Sequence, residues 1–423
     1  MLENFIKDFK LFLQKYSTDL LINIPALSMF IISTTKFTPS SLESTLVLSA
    51  SVTTIFAIIT LTRRQYKHKL LIGSIYNFFT FITFLYVKTL SLLTFFIIYE
   101  MFLLPSAALV WLFSPNERGY KTSIFFLAWT QLGSAMLLYS IYYIKTYMGI
   151  GHFLAPTVGT SLPPLAIQLL LLFGFLIKIP TFPFYFWLTK THVEAVTSFS
   201  IFLSGFLVKI ALFGIYKFLP FWSVKIKLIA FILAMIGAFV TSILFLYQLD
   251  VKKIVAYATV QEMSQLLAFF MIVQTTNIRT VSLFLLTHTI ISAKFFYLAD
   301  IFHRHNATRC TLAIAGTTIT SPKLALVTVA GLVFFRGLPF TMKNAVEFSM
   351  LDALVSAETS FAFFWLFAVV FIGNVTFTYV FLKLLVFQPP KGTVTLFDLN
   401  KVEVLFFTMT TSFLIFGPFI FFV

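Results

Sequence analysis

The stretch FLIKIPTFPFYFWLTKTHVEA, Phe175 to Ala195, places an ammonium group, Lys178, between apolar runs and just ahead of Pro180 and Pro183. The chain around it has 423 residues, 59% of them hydrophobic and only 11% charged, with a mean hydropathy of +0.96. Soluble domains carry about 25% charged residues, so this chain belongs to another class. Apolar runs of roughly 20 residues, the length that crosses a bilayer as a helix, recur from end to end. They lack the alternation over about 10 residues that marks barrel strands. A lipid-exposed segment must pair every backbone group within itself, which leaves the helix. The chain is therefore an all-α polytopic membrane protein.

Composition also excludes chemistry. A single cysteine, Cys310, rules out a disulfide or a cysteine-held iron–sulfur cluster within the chain. The six histidines show no metal spacing, and there is no GxGxxG, Walker loop or HExxH. The net charge of +15 does not point to nucleic acid, because the basic residues lie in short loops, where they set membrane orientation. Glu3, Asp8 and Asp19 argue against an import peptide, and no small-residue cleavage site follows them. The 57 phenylalanines, whose codons are AT-rich, point to an organelle genome.

The apolar runs predict about 13 spans, centred near Ser28, Thr53, Phe79, Phe102, Met136, Leu172, Leu207, Leu233, Leu266, Leu285, Pro339, Val369 and Leu414. No linker rich in Gly, Ser or Pro divides them, so residues 1–423 read as one transmembrane domain. Alternating the spans gathers Arg63, Arg64, Lys67, Lys69, Arg118, Lys121, Lys190, Lys252, Lys253, Arg304, Arg309 and Lys323 on one face, joined by Lys7, Lys10 and Lys15. The other face holds Lys36, Lys88, Lys145, Lys217, Lys225, Lys227 and Arg279. The richer face, with the N-terminus, is expected on the matrix or cytoplasmic side.

Charges in mid-span need a separate account, since each costs at least about 2.5–3.5 kcal/mol on insertion scales. Five qualify: Glu100, Lys178, Lys209, Lys294 and Glu347, with Glu262 and His288 as further polar groups at depth. Taken singly, each could snorkel to the interface or lock two helices as a static pair. Five of both signs in one bundle favour a proton or ion path. Lys178 adjoins Pro180 and Pro183, and Glu347 follows Pro339 by eight residues. Broken helices at corresponding positions of two halves point to a transport site built from inverted repeats. Lys343 and Glu347, four residues apart, share a helix face and can pair.

Four blocks carry a family pattern. The first comprises Lys178, Pro180, Pro183, Trp187, Leu188, His192, Glu194, Ala195, Ser200, Gly205, Lys209 and Gly214; the second Glu100, Pro105 and Ser106. The third comprises Gln248, Asp250, Lys252, Ala256 and Tyr257; the fourth Leu338, Pro339, Thr341 and Glu347, with His288 in LLTHTIIS. At these offsets the chain resembles the proton-pumping, antiporter-like chain 4 subunits of respiratory complex I (NADH–ubiquinone oxidoreductase), relatives of multi-part cation/proton antiporters. The resemblance runs from about Glu100 to Glu347, inside a core motif region of 91–357. Tyr185 departs from the family's first histidine after the prolines, Glu262 from a histidine, Lys343 from an asparagine, and Val196 and Thr189 from prolines, while Lys294 is an added charge.

The resemblance implies an antiporter-like bundle with inverted repeats and two broken helices, with an N-terminus shortened by one helix. It implies a divergent, protist-like mitochondrial subunit of the inner membrane, multi-pass and organelle-encoded. Its partners would be other complex I membrane-arm subunits, lipids such as cardiolipin, and protons, with no nucleic acid. No cofactor or metal is expected in this chain; NADH, FMN, iron–sulfur clusters and ubiquinone are expected in partner subunits. The proton pathway would run through Glu100, Lys178, Lys209, His288 and Glu347, with Lys294, Lys343 and Glu262 as secondary candidates. Burial disfavours the charged form of any amine. A carboxylate about 6 Å away opposes this by roughly 3 kcal/mol at an effective dielectric near 20. Moving the carboxylate therefore switches such an amine between holding and releasing a proton. A cation/proton antiporter subunit and a non-conducting structural membrane-arm subunit stay open as alternatives.

Overall fold

The computed structural model describes residues 23–421 apart from 64–67, 115–117, 154–161, 274–276, 315, 358 and 387–397. The expectations for residues 1–22, and for Arg64 and Lys67, lie outside the described residues. The described residues open with α1 (Asn23–Thr35), α2 (Leu42–Arg63) and α3 (Lys69–Val87). A span of α4 (Leu92–Met101) and α5 (Leu103–Phe113) follows, then α6 (Gly119–Tyr147). The first broken span is α7 (Leu165–Lys178) with α8 (Phe186–Glu194). Next, α9 (Thr197–Phe202) passes through a π turn, Leu203–Leu207, into α10 (Val208–Phe218). Three long helices come after it: α11 (Val224–Leu244), α12 (Val251–Val273) and α13 (Ile278–Asn306). A short α14 (Thr317–Thr320) leads to the second broken span, α15 (Pro322–Phe335) with α16 (Met342–Ser356). Then α17 (Ser360–Val386) and α18 (Lys401–Phe421) close the bundle. Among the described residues nine helices are long and apolar enough to cross a membrane. Shorter apolar helices stand at the predicted centres Ser28, Leu172 and Leu414, while the centre at Pro339 falls in the break after a fourth, Pro322–Phe335.

The first break has the predicted cause; the second does not, because α15 ends at Phe335, where the Gly337 and Leu338 N–H groups bond back to the Phe334 and Val333 carbonyls ahead of Pro339. Pro180 has no N–H, and Ile179 before it turns extended (φ −83°, ψ 100°), so α7 stops at Lys178. The Ile177 carbonyl is taken up by the Trp187 indole N–H at 2.7 Å. At the second break Gly337 and Phe340 adopt positive φ, and Thr341 accepts a hydrogen bond from the Asn344 N–H as the N-cap of α16. The Arg336 carbonyl there accepts from the Asn374 amide on α17 at 3.3 Å. Each break is thus held open by a side chain, as burial of a freed carbonyl requires.

Inside lipid, helices associate through close packing and interhelical hydrogen bonds rather than through a hydrophobic difference. Phe79 stacks on Phe102 and Phe202, with ring centroids 5.8 and 5.1 Å apart. Hydroxyl pairs tie neighbours: Ser33 to Ser51, Thr54 to Thr80, Ser204 to Thr259. The windows of α12 and α13 that could cross the membrane are wholly buried, which lets α12 carry Thr259, Gln261, Glu262, Ser264 and Gln265 away from lipid. The approach of α6 to α7 is also close. A Cβ on Gly174 would stand 2.7 Å from Leu137 and 2.9 Å from the Gly133 carbonyl. Leucine at Gly174 is expected to force the two helices apart and lower the amount of intact chain in native gels several-fold. Unchanged abundance would show that the bundle tolerates their separation.

Candidate functional site

The first charged group is built on three helices. Glu100, near the end of α4 in the middle of its span, accepts from Lys178 Nζ at 2.8 Å and from the Ser134 hydroxyl of α6 at 2.5 Å. The Lys178 ammonium also stands over the Tyr99 ring, 3.9 Å from its centroid. The helix break puts this ammonium at the end of α7, beside a cavity of about 50 Å³ bordered by Thr130, Trp187, Leu203 and Leu207. A water needs about 10–15 Å³ of such volume, so this cavity can carry water from Lys178 toward the π turn.

The π turn itself was not legible from the sequence. Within it the Gly205 carbonyl accepts from both Lys209 Nζ and, at 3.0 Å, the Thr289 hydroxyl. A Cβ on Gly205 would overlap Thr53 Cγ2 of α2, so only glycine admits this approach. Lys209 is fully buried and also bonds the Thr289 hydroxyl at 2.5 Å. Tyr86 caps the same region by donating to the Ile210 carbonyl at 3.1 Å.

Beyond Thr289 stands the second charged group. His288 Nε2 lies 3.7 Å from Glu262, whose other oxygen takes Lys343 Nζ at 2.6 Å. Lys343 also lies 3.6 Å from Glu347, the partner expected from their four-residue spacing. Two small cavities of about 10 Å³ each adjoin Glu262 and His288; one reaches Thr259 and Ser292, the other Lys343. Glu347 then borders a larger, open cavity of about 370 Å³ with Gln265, Arg336, Asn344 and Asn374. The sequence reading placed Glu262 and Lys343 among the candidates but did not join them. Both depart from the family pattern, with opposite charge, and that was the available signal.

Lys294 stands apart. It is buried on α13 with no hydrogen-bond partner among the described residues, facing the rings of Phe334 and Phe407 at 5.1 and 6.0 Å. Other charges serve the loops. Lys252 donates to the Ala195 carbonyl at 2.5 Å, and Arg309 to the Val193 carbonyl at 2.7 Å, so two cations meet the C-terminal end of α8. Arg309 also pairs with Asp250 at 3.3 Å, and Arg304 bridges Asp300 and Glu403. On the opposite grouping, Glu43 joins Lys88 and Lys217 at 3.4 and 3.3 Å.

A family model described as NADH:quinone oxidoreductase/Mrp antiporter, TM, matches residues 89–373. NADH-ubiquinone oxidoreductase chain 4 of Paramecium tetraurelia is 31% identical over 79% of this chain and 72% of its own length. The protein of the same name from Rhipicephalus sanguineus is 27% identical over 67% of this chain and 65% of its own length. The second alignment thus spans just under two thirds of that relative. Among solved structures, a chain of respiratory complex I from Thermus thermophilus with bound NADH shares the fold at a TM-score of 0.77 and 19% identity. That alignment covers 90% of this chain and 81% of the other.

Proposed function

Since the chain belongs to the NADH:quinone oxidoreductase/Mrp antiporter membrane family, we propose that it is a proton-translocating membrane-arm subunit of respiratory complex I. The observation that carries this reading is the series of buried charges through one bundle: Glu100 with Lys178, then Lys209, then His288, Glu262, Lys343 and Glu347. A static pair needs two such groups, whereas a transfer path needs a succession of them with room for water between.

In this reading Lys178 holds the central proton and Glu100 governs its release. Lys209 and His288 relay it, and Glu347 delivers it to the open cavity. Electrons pass from NADH to ubiquinone through FMN and iron–sulfur clusters in partner subunits, and this chain binds none of these. Each proton moved against the membrane potential costs roughly 2.3 kcal/mol per 100 mV. A shift of about two pKa units, worth about 2.7 kcal/mol, is of that order. The chain would sit in the mitochondrial inner membrane with its N-terminus on the matrix side, encoded in the organelle, its basic loops facing anionic lipids such as cardiolipin.

Migration in a mild-detergent native gel, followed by NADH-driven proton uptake in vesicles, tests the reading. The chain is expected to run with redox subunits and to support quinone-dependent pumping. Migration without redox subunits, together with cation-driven proton exchange, would assign it to a stand-alone antiporter.

A further inference from the structure

We propose that Glu262 and Lys343 form a second carboxylate–ammonium proton switch, serving the second half of the bundle as Glu100 and Lys178 serve the first. The proposal rests on the proton-translocating reading above. In each half the carboxylate lies on one span, a single long helix follows, and the lysine lies on the next, broken span: α4–α5, α6, α7–α8 in one, α12, α13, α15–α16 in the other. The partners are 78 residues apart in the first pair and 81 in the second. Counting each broken helix once, corresponding spans are five apart, so with alternating direction the two arrangements are inverted. Each ammonium also stands over an aromatic ring, Lys178 over Tyr99 at 3.9 Å and Lys343 over Phe335 at 4.0 Å. The lysines occupy opposite lips of their breaks, Lys178 ending α7 and Lys343 lying in the first turn of α16.

The second pair is the more deeply buried, with side chains 3% and 5% exposed. Breaking a buried pair that has no substitute partners leaves an uncompensated charge. Here each member has a second partner: Lys343 faces Glu347 at 3.6 Å, and Glu262 faces His288 at 3.7 Å. Lys209 of α10 lies within electrostatic reach of Glu262 and His288. Gln265 of α12, Arg336 and Asn374 of α17 border the Glu347 cavity. The pair can therefore open without stranding a charge. In the step, an N–H bond of Lys343 breaks and an O–H bond forms on Glu347. Glu262 then turns to His288, which takes up the next proton and returns it to Lys343.

The test uses the assembled complex and reads two quantities, abundance on a native gel and protons pumped per electron. Lys343→Arg keeps the charge but does not release its proton. It is expected to assemble within twofold of wild type and to pump at least tenfold less. Glu262→Gln and Lys343→Met singly leave the surviving charge with only its longer second contact, at 3.6 or 3.7 Å, and are expected to lower assembly. The double variant Glu262→Gln/Lys343→Met removes both charges, so assembly is expected to recover while pumping stays at least tenfold down. Wild-type pumping by Lys343→Arg or by the double variant would overturn the switch and leave a static lock. Failure of every variant to assemble would likewise give the pair a structural role and overturn it. Lys178→Arg, run alongside, separates the levels: if it is impaired while Lys343 variants pump normally, only the second switch falls. If it too pumps normally, the proton-translocating reading falls.

Discussion

Alanine at Lys178 is expected to cut NADH-driven proton translocation at least tenfold in a complex that still assembles. The ammonium is the hinge of the first charged group, placed by the break after α7 between Glu100 and the cavity toward the π turn. Its loss leaves Glu100 with the Ser134 hydroxyl and with a side chain 21% exposed, so the carboxylate can take a proton instead of remaining stranded. Assembly should therefore survive where transfer does not. Arginine at this position should be impaired as well, because a guanidinium keeps its proton at any accessible pH. Proton uptake per electron in sealed vesicles, with abundance read on the same native gels, measures both. Near-normal pumping by the assembled Lys178→Ala complex would remove Lys178 from the path.

The second large effect separates function from stability. Lys209 is fully buried, and its ammonium is held by the Gly205 carbonyl and the Thr289 hydroxyl, neither of which carries a charge. Such a group is expensive in a membrane bundle, by at least about 2.5–3.5 kcal/mol on insertion scales. Lys209→Met keeps the length of the side chain and discards the charge. The variant complex is expected to resist heat at least as well as wild type, while its proton translocation falls more than tenfold. A melting temperature held or raised, together with lost pumping, is the signature of a group kept for transfer rather than for packing. Undiminished pumping would show that protons bypass α10.

Much of the fold was legible because lipid leaves a chain few choices. Apolar runs near Ser28, Phe79 or Leu233 became helices since no other structure satisfies their backbone in a bilayer. Pro180 announced the first break for a local reason, the missing N–H and the restricted residue before it, whereas near Pro339 the helix had already ended at the positive-φ Gly337. Mid-span charge marked Glu100 and Lys178 as functional candidates through its cost alone. Local rules went no further than local partners. They joined Lys343 to Glu347 across one helical turn, and that contact exists at 3.6 Å. The shorter bond, to Glu262 at 2.6 Å, spans 81 residues and arises only because α12 and α16 pack side by side. The π turn at Leu203–Leu207 likewise has no period of its own in the sequence. It forms where Gly205 lets α2 come close and where Lys209 and Thr289 donate to the Gly205 carbonyl. Which helices span, and where they break, is set by the bilayer and by Pro180 and Gly337, residue by residue. Which charges meet is set by helix packing, since an ion pair needs two side chains within about 4 Å of each other.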